Sequence, residues 1–109
     1  MKQFVLVTLD QDKALLEDDY SRFNQLFGQM EKIKQELKAR PGDQRKALLQ
    51  LFDYPNAQVR LKAAKATLAV APERARRLLQ SIADSKEYPQ AGEAGMSLWN
   101  LDRGVFKPT

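Results

Sequence analysis

The chain has 109 residues, a formal charge of +4, no cysteine and no histidine. That length forms one domain that can bury a core without metal or disulfide staples. The two absences exclude a disulfide framework, a zinc–thiolate site and a thiol nucleophile, and remove the commonest general base and metal ligand.

The charge is unevenly spread. Residues 1–40 carry seven acids and seven bases, whereas residues 41–109 carry seven acids and eleven bases. Between Arg60 and Arg77 six bases face one acid. Such an excess favours an anionic partner, although solvated lysines and arginines on a small helical protein are the plainer account.

At the N-terminus, Lys2 followed by Phe4 to Leu9 has the outline of a signal peptide, but Asp10 and Asp12 cut the apolar run short. No run is long enough to span a bilayer, and a soluble cytoplasmic protein is expected. FVLVTL has strand-forming residue types but no second strand to pair with, so it is read as a helix.

After Asp19, the residues Tyr20, Phe23, Leu26, Phe27, Met30, Ile33 and Leu37 recur at steps of three and four, one stripe of a long helix. Pro41-Gly42 stops it. Lys46 to Phe52 predicts a short helix with Ala47, Leu48, Leu51 and Phe52 on one side, closed by Tyr54-Pro55. Asn56 stands at the N-cap of the next helix, Gln58 to Val70. Pro72 opens a helix over Glu73 to Ala83 that presents Ala75, Leu78, Leu79 and Ile82, and Pro89-Gln90 opens the last, toward Leu101. The expectation is an all-α domain of about six helices. Residues 1–41 form its N-terminal part, 43–101 two stacked helix hairpins, and 102–109 a tail.

The two hairpins follow from an internal echo. DYPNA at 53–57 returns as EYPQA at 87–91, and LLQ at 48–50 returns at 78–80. A duplicated hairpin, its second copy lengthened around Ser85 to Glu87, accounts for both intervals. Each proline then marks a corner between a leucine-striped helix and one rich in small residues.

In the helix after Asn56, Val59, Ala63, Ala66 and Val70 form one apolar strip and Leu61, Ala64 and Leu68 another, so it is expected inside the stack. Lys62, Lys65 and Ala69 share the remaining face, which is expected to meet solvent or a partner. Gly92 and Gly95 cost helix propensity of about 1 kcal/mol each relative to alanine. Close approach to a neighbouring helix is the expected compensation, with Ala91 and Ala94 beside them.

NAQVRLKAAKATLAV, residues 56–70, resembles the second helix of a HEAT repeat. ELKARPGDQRKALLQLF, YPNAQVRLKAAKATLAVAP, YPQAGEAGM and the ending RGVFKPT resemble a small bacterial domain family of unknown function with a HEAT-like helical-repeat fold. The resemblance implies stacked antiparallel helix hairpins and brings no activity with it. It also implies an ion pair between Arg60 and an inner-turn aspartate, for which Asp53 is the nearest candidate. In the second copy Gly92 stands where an arginine would, and the ladder is absent there.

Catalysis and cofactors are not expected. Asp10, Asp12, Glu17, Asp18 and Asp19 lack the glycine and alternating oxygens of a calcium loop, and Asp18 or Asp19 suits a helix start. The serines have no histidine to activate them. What remains is binding. A groove on the inner repeat helices would show Lys62 and Lys65, with Lys46, Arg74 and Arg77 as rims, and would suit an acidic surface on another protein. An adaptor or a toxin-neutralising protein has this build by analogy. Nucleic acid is the alternative ligand of the same bases, opposed by the lack of aromatics interleaved with them. Self-association through the Tyr20, Phe23, Phe27, Met30 and Leu37 stripe is a third reading, for which core packing is the plainer account. Leu98 and Trp99 are expected against the preceding hairpin. Val105 and Phe106, beyond the stop at Gly104, are expected to cover the core rather than wait for a partner.

Overall fold

FVLVTL is helical, as its lack of a pairing strand requires. The computed structural model describes residues 2–109, and it opens with helix α1, Lys2–Leu16. There follow α2 (Tyr20–Ala39), a 3₁₀ helix (Gln44–Leu51), α3 (Ala57–Ala66), α4 (Pro72–Ser85) and α5 (Gln90–Asp102). These are six helical elements, with no strand among the described residues.

The starts are set by local chemistry. Asp19 caps α2, its carboxylate accepting from the Arg22 amide at 3.1 Å. Asn56 caps α3 by accepting from the Gln58 and Val59 amides at 2.8 and 3.2 Å. Each uses a side-chain oxygen to satisfy amides that the first helical turn leaves without partners. Pro72 occupies the first turn of α4, where its missing N–H costs nothing. Between α2 and the 3₁₀ helix, Gly42 takes a φ of +77°, which glycine adopts without a Cβ clash.

Two elements differ from expectation in their bounds. The short helix before Tyr54-Pro55, of the 3₁₀ type, runs over Gln44–Leu51 instead of Lys46 to Phe52, and α3 ends at Ala66, not Val70. The Thr67 hydroxyl donates to the Ala63 and Ala64 carbonyls at 2.9 and 3.1 Å, and the Val70 and Ala71 amides turn back onto the Thr67 carbonyl. A β-branched residue that can bond its own backbone favours such a termination.

Helix α1 pairs with α2, α4 pairs with α5, and α3 lies between the pairs, touching α1, the 3₁₀ helix, α4 and α5. Its two strips face two separate cores. Val59, Ala63 and Ala66 join Phe4, Leu26, Met30, Leu37 and Leu48. Leu61, Ala64 and Leu68 join Ala75, Leu79, Ile82 and Leu98. The alanines at 63 and 64 are fully buried, because only a small side chain lets helices pack against both sides of α3. In α2 the buried stripe is Leu26, Met30, Ile33 and Leu37, while Tyr20 and Phe27 are exposed.

Three packing expectations are corrected. Gly95 has nothing within 4 Å of where a Cβ would stand, and at Gly92 the nearest atoms belong to the Tyr88 ring, so neither marks a close helix crossing. Trp99 is more than half exposed, and the Arg103 guanidinium lies over its ring at 4.3 Å; Leu98 alone turns inward. Arg60 reaches Glu87 at 3.9 Å instead of Asp53, which is exposed. Glu87 is the acid that begins the second copy of the echo.

The echo also has a shared anchor. Asn56 and Gln90, matching positions of DYPNA and EYPQA, both donate to the Asp12 carboxylate, at 3.1 and 3.3 Å. Gln90 also donates to Gln58 at 2.9 Å. One acid of α1 thus ties together the starts of α3 and α5.

Candidate functional site

The α3 lysines do not form an open basic face. Lys62 is buried, and its ammonium donates to Glu93 of α5 at 2.9 Å; Lys65 donates to the same carboxylate oxygen at 2.9 Å. The expectation that this face meets solvent or a partner is corrected for Lys62, which α5 covers with its own carboxylate, while the Lys65 side chain stays 34% exposed. Burial pushes the Lys62 ammonium below its ordinary pKa, with Glu93 opposing and Lys65 adding to the shift. Burial works against the Glu93 carboxylate too, but the two ammoniums outweigh it and hold that group below its ordinary value. One anion shared by two cations is well compensated, and each cation only partly so.

The other expected bases scatter. Lys46 is exposed on the 3₁₀ helix. Arg74 lies 5.8 Å from the centre of the Phe52 ring. Arg77 borders a shallow depression on α4 with Glu73, Arg76 and Gln80. Of the five residues expected in one groove, only Lys62 and Lys65 come together.

A different set converges. Lys65 borders a cleft of about 160 Å³ with Lys34 and Lys38 of α2, Arg45 of the 3₁₀ helix, and Phe106 and Pro108 of the tail. Glu31 is the sole acidic side chain among the lining residues. Lys34 pairs with Glu31 at 2.8 Å, and Arg45 pairs with Asp43 at 2.7 Å, a hydrogen bond that lowers the Asp43 pKa. Lys38 has no ion-pair partner among the described residues.

The tail supplies the aromatic. The Val105 and Phe106 amides donate to the Asn100 carbonyl, which turns the chain back after α5. Phe106 lies half-exposed beside Lys65, while Val105 stays exposed, so the tail roofs the cleft more than it seals the core. A signal for this site was present in α2: Phe27, Glu31, Lys34 and Lys38 follow the spacing of the buried Leu26, Met30, Ile33 and Leu37, displaced by one residue. The displaced stripe lies on the neighbouring helix face.

The remaining acids of the N-terminal cluster have structural partners. Asp10 faces Arg22 at 3.7 Å and Glu17 faces Lys13 at 3.9 Å, while Asp12 and Asp19 take the roles already described. No helix among the described residues is long and apolar enough to cross a membrane.

The chain belongs to the DUF2019 family, a domain of unknown function, which matches residues 1–102. It is 62% identical to the protein RPA1889 from Rhodopseudomonas palustris CGA009, whose crystal structure superposes with a TM-score of 0.96 over 99% of this chain and 89% of that one. A comparison with curated proteins gave no match.

Proposed function

For this member of the DUF2019 family we propose a non-catalytic binding module that holds an acidic segment of another protein in the cleft between α2, the 3₁₀ helix, α3 and the tail. The observation that carries the reading is the lining of that cleft: Lys34, Lys38, Arg45 and Lys65, of which Lys38 alone lacks an ion-pair partner among the described residues, with Glu31 the single acidic side chain beside them. Phe106 and Pro108 add apolar surface beside the cations. An acidic segment with an apolar residue complements both, and the charge speeds encounter more than it holds the complex. An adaptor or a toxin-neutralising protein would use such a module.

We read the scaffold as HEAT-like, two helix hairpins packed side by side. Two relationships support it: Tyr54-Pro55 and Tyr88-Pro89 both stand at the corner before the second helix of a pair, and Asn56 and Gln90 meet on Asp12.

The test is a pull-down with the tagged full chain, with and without nuclease, followed by titration of the recovered partner. Wild type is compared with a Lys34→Glu, Lys38→Glu double variant whose helicity is checked by circular dichroism. The expected result is a protein that survives nuclease and binds the variant about tenfold or more weakly, as loss of two rim charges near an anionic partner predicts. Recovery of nucleic acid instead, with affinity falling about tenfold or more between about 50 and 200 mM salt, would transfer the cleft to phosphate binding. A variant that keeps its partner unchanged would remove the cleft from the reading.

A further inference from the structure

A second cavity, of about 360 Å³, shares Glu31, Lys34, Lys65 and Phe106 with the cleft. Phe27, Met30 and Phe106 give it apolar walls, and Lys34, Lys62 and Lys65 bring three ammoniums to it. Glu31 and Glu93 compensate two of the three positive charges. Gln11 of α1 also borders it; its side chain is wholly buried, and neither its Nε2 nor its Oε1 has a hydrogen-bond partner.

An amide buried without partners is costly relative to an apolar side chain of the same shape, and such a group in a folded chain calls for an explanation. The cavity's volume lies in the range of about 300–1,000 Å³ that small-molecule sites occupy. Its contents define a complementary ligand: one negative charge for the uncompensated ammonium, an apolar body for the aromatic and methionine walls, and polar atoms to meet the Gln11 amide.

We propose that this inner cavity binds a small monocarboxylic acid with an aromatic or branched apolar body, its carboxylate toward the lysines and Gln11 and its body between Phe27, Met30 and Phe106. The inference goes beyond the partner cleft and is separable from it. Gln11 borders only the inner cavity and Lys38 only the outer cleft.

The experiment is calorimetric titration of the full chain with 4-phenylbutyrate, its primary amide 4-phenylbutyramide, and acetate. The acid is expected to bind at one site with a Kd of about 1 mM or tighter, the affinity reasonable for a fragment of that size. The amide lacks the charge and acetate lacks the body, so each should bind at least about tenfold more weakly, each having lost one of the two recognition elements. Gln11→Met keeps the side-chain length and removes the amide. It should melt no lower than wild type while weakening the acid about tenfold, since a buried carboxylate loses a hydrogen bond worth about that factor. Absence of saturable binding by wild type up to about 5 mM would assign the cavity to water and overturn the proposal. Equal binding of acid and amide, or a Gln11→Met protein that melts normally and binds the acid unchanged, would overturn it as well. A Gln11→Met protein that melts lower is replaced in the comparison by Phe27→Ala, on an exposed wall position, which must weaken the acid for the proposal to stand.

Discussion

Lys62 of α3 and Glu93 of α5, 31 residues apart in the chain, meet at 2.9 Å with the lysine side chain only 10% exposed. The pair links the central helix to the last one through an ammonium that has little access to water. Its two members contribute unequally, because Glu93 serves a second cation and Lys62 has no second anion.

Removing either partner therefore has different consequences. Glu93→Gln leaves the Lys62 ammonium buried without a counter-charge and should cost about 2 kcal/mol, less than a fully buried pair because the Glu93 side chain is 34% exposed and partly screened. Lys62→Met removes the desolvated charge, leaves Glu93 with Lys65, and should be neutral within about 1 kcal/mol or stabilising. Urea denaturation at neutral pH separates the two. Equal losses would mean that the pair acts as a single symmetrical unit.

The same site gives stability a pH dependence. The Glu93 carboxylate has a folded pKa below its ordinary 4.5, so its contribution is present above that value and is lost as pH falls through the lower folded value. The stability difference between wild type and Glu93→Gln should shrink on acidification below about pH 4.5. Lys62 acts in the alkaline range with its folded pKa below its ordinary 10.5. Between those two values the folded chain binds fewer protons than the unfolded chain, and this group's contribution to stability rises with pH. Lys62→Met should abolish that rise. Denaturation midpoints across pH check both limbs.

Two glycines weaken their helices without serving a contact. At Gly28 in α2 and Gly95 in α5 an added Cβ would meet nothing within 4 Å. Gly28→Ala and Gly95→Ala should each stabilise by about 0.5–1 kcal/mol, since alanine has fewer unfolded conformations to lose. Gly42→Ala should destabilise by a similar or larger amount, because the turn holds that residue at a φ of +77°. Thermal melts of the three variants test the contrast, and a loss at Gly95 would reveal a contact that only glycine permits.

Asp12 is the third point of leverage. Asp12→Ala leaves the Asn56 and Gln90 amides without their shared acceptor, and should cost about 1–3 kcal/mol. Asn56→Ala should cost about 1–2 kcal/mol through loss of the α3 cap. The double variant should lose less than the sum, because the Asp12–Asn56 bond can be broken only once. Strict additivity in a denaturation cycle would show that the bond contributes nothing.

In the centre of the molecule Ala64 has no room to grow. Ala64→Leu should cost about 1–3 kcal/mol by overpacking the core formed with Leu79, Ile82 and Leu98. A neutral result would mean that α4 and α5 can retreat from α3.

The amino-acid sequence by itself determined the helical class, the stop at Pro41-Gly42, the helix start at Pro72, a cap at Asp18 or Asp19 and one at Asn56, and the two-sided burial of α3. Those features depend on neighbours within a turn or two, where spacing, capping chemistry and backbone restriction act directly. The partners of charged and polar groups depended on the tertiary structure. That Glu93 covers Lys62, that Arg60 reaches Glu87 rather than Asp53, and that Asn56 and Gln90 converge on Asp12 follow from how α5 and α1 lie against α3, across separations of 27 to 78 residues. A side-chain cation carries no local mark of which distant carboxylate will approach it. The fold therefore closed Lys62 behind Glu93, left Lys65 partly exposed, and assembled a different cleft from α2, the 3₁₀ helix, α3 and the tail.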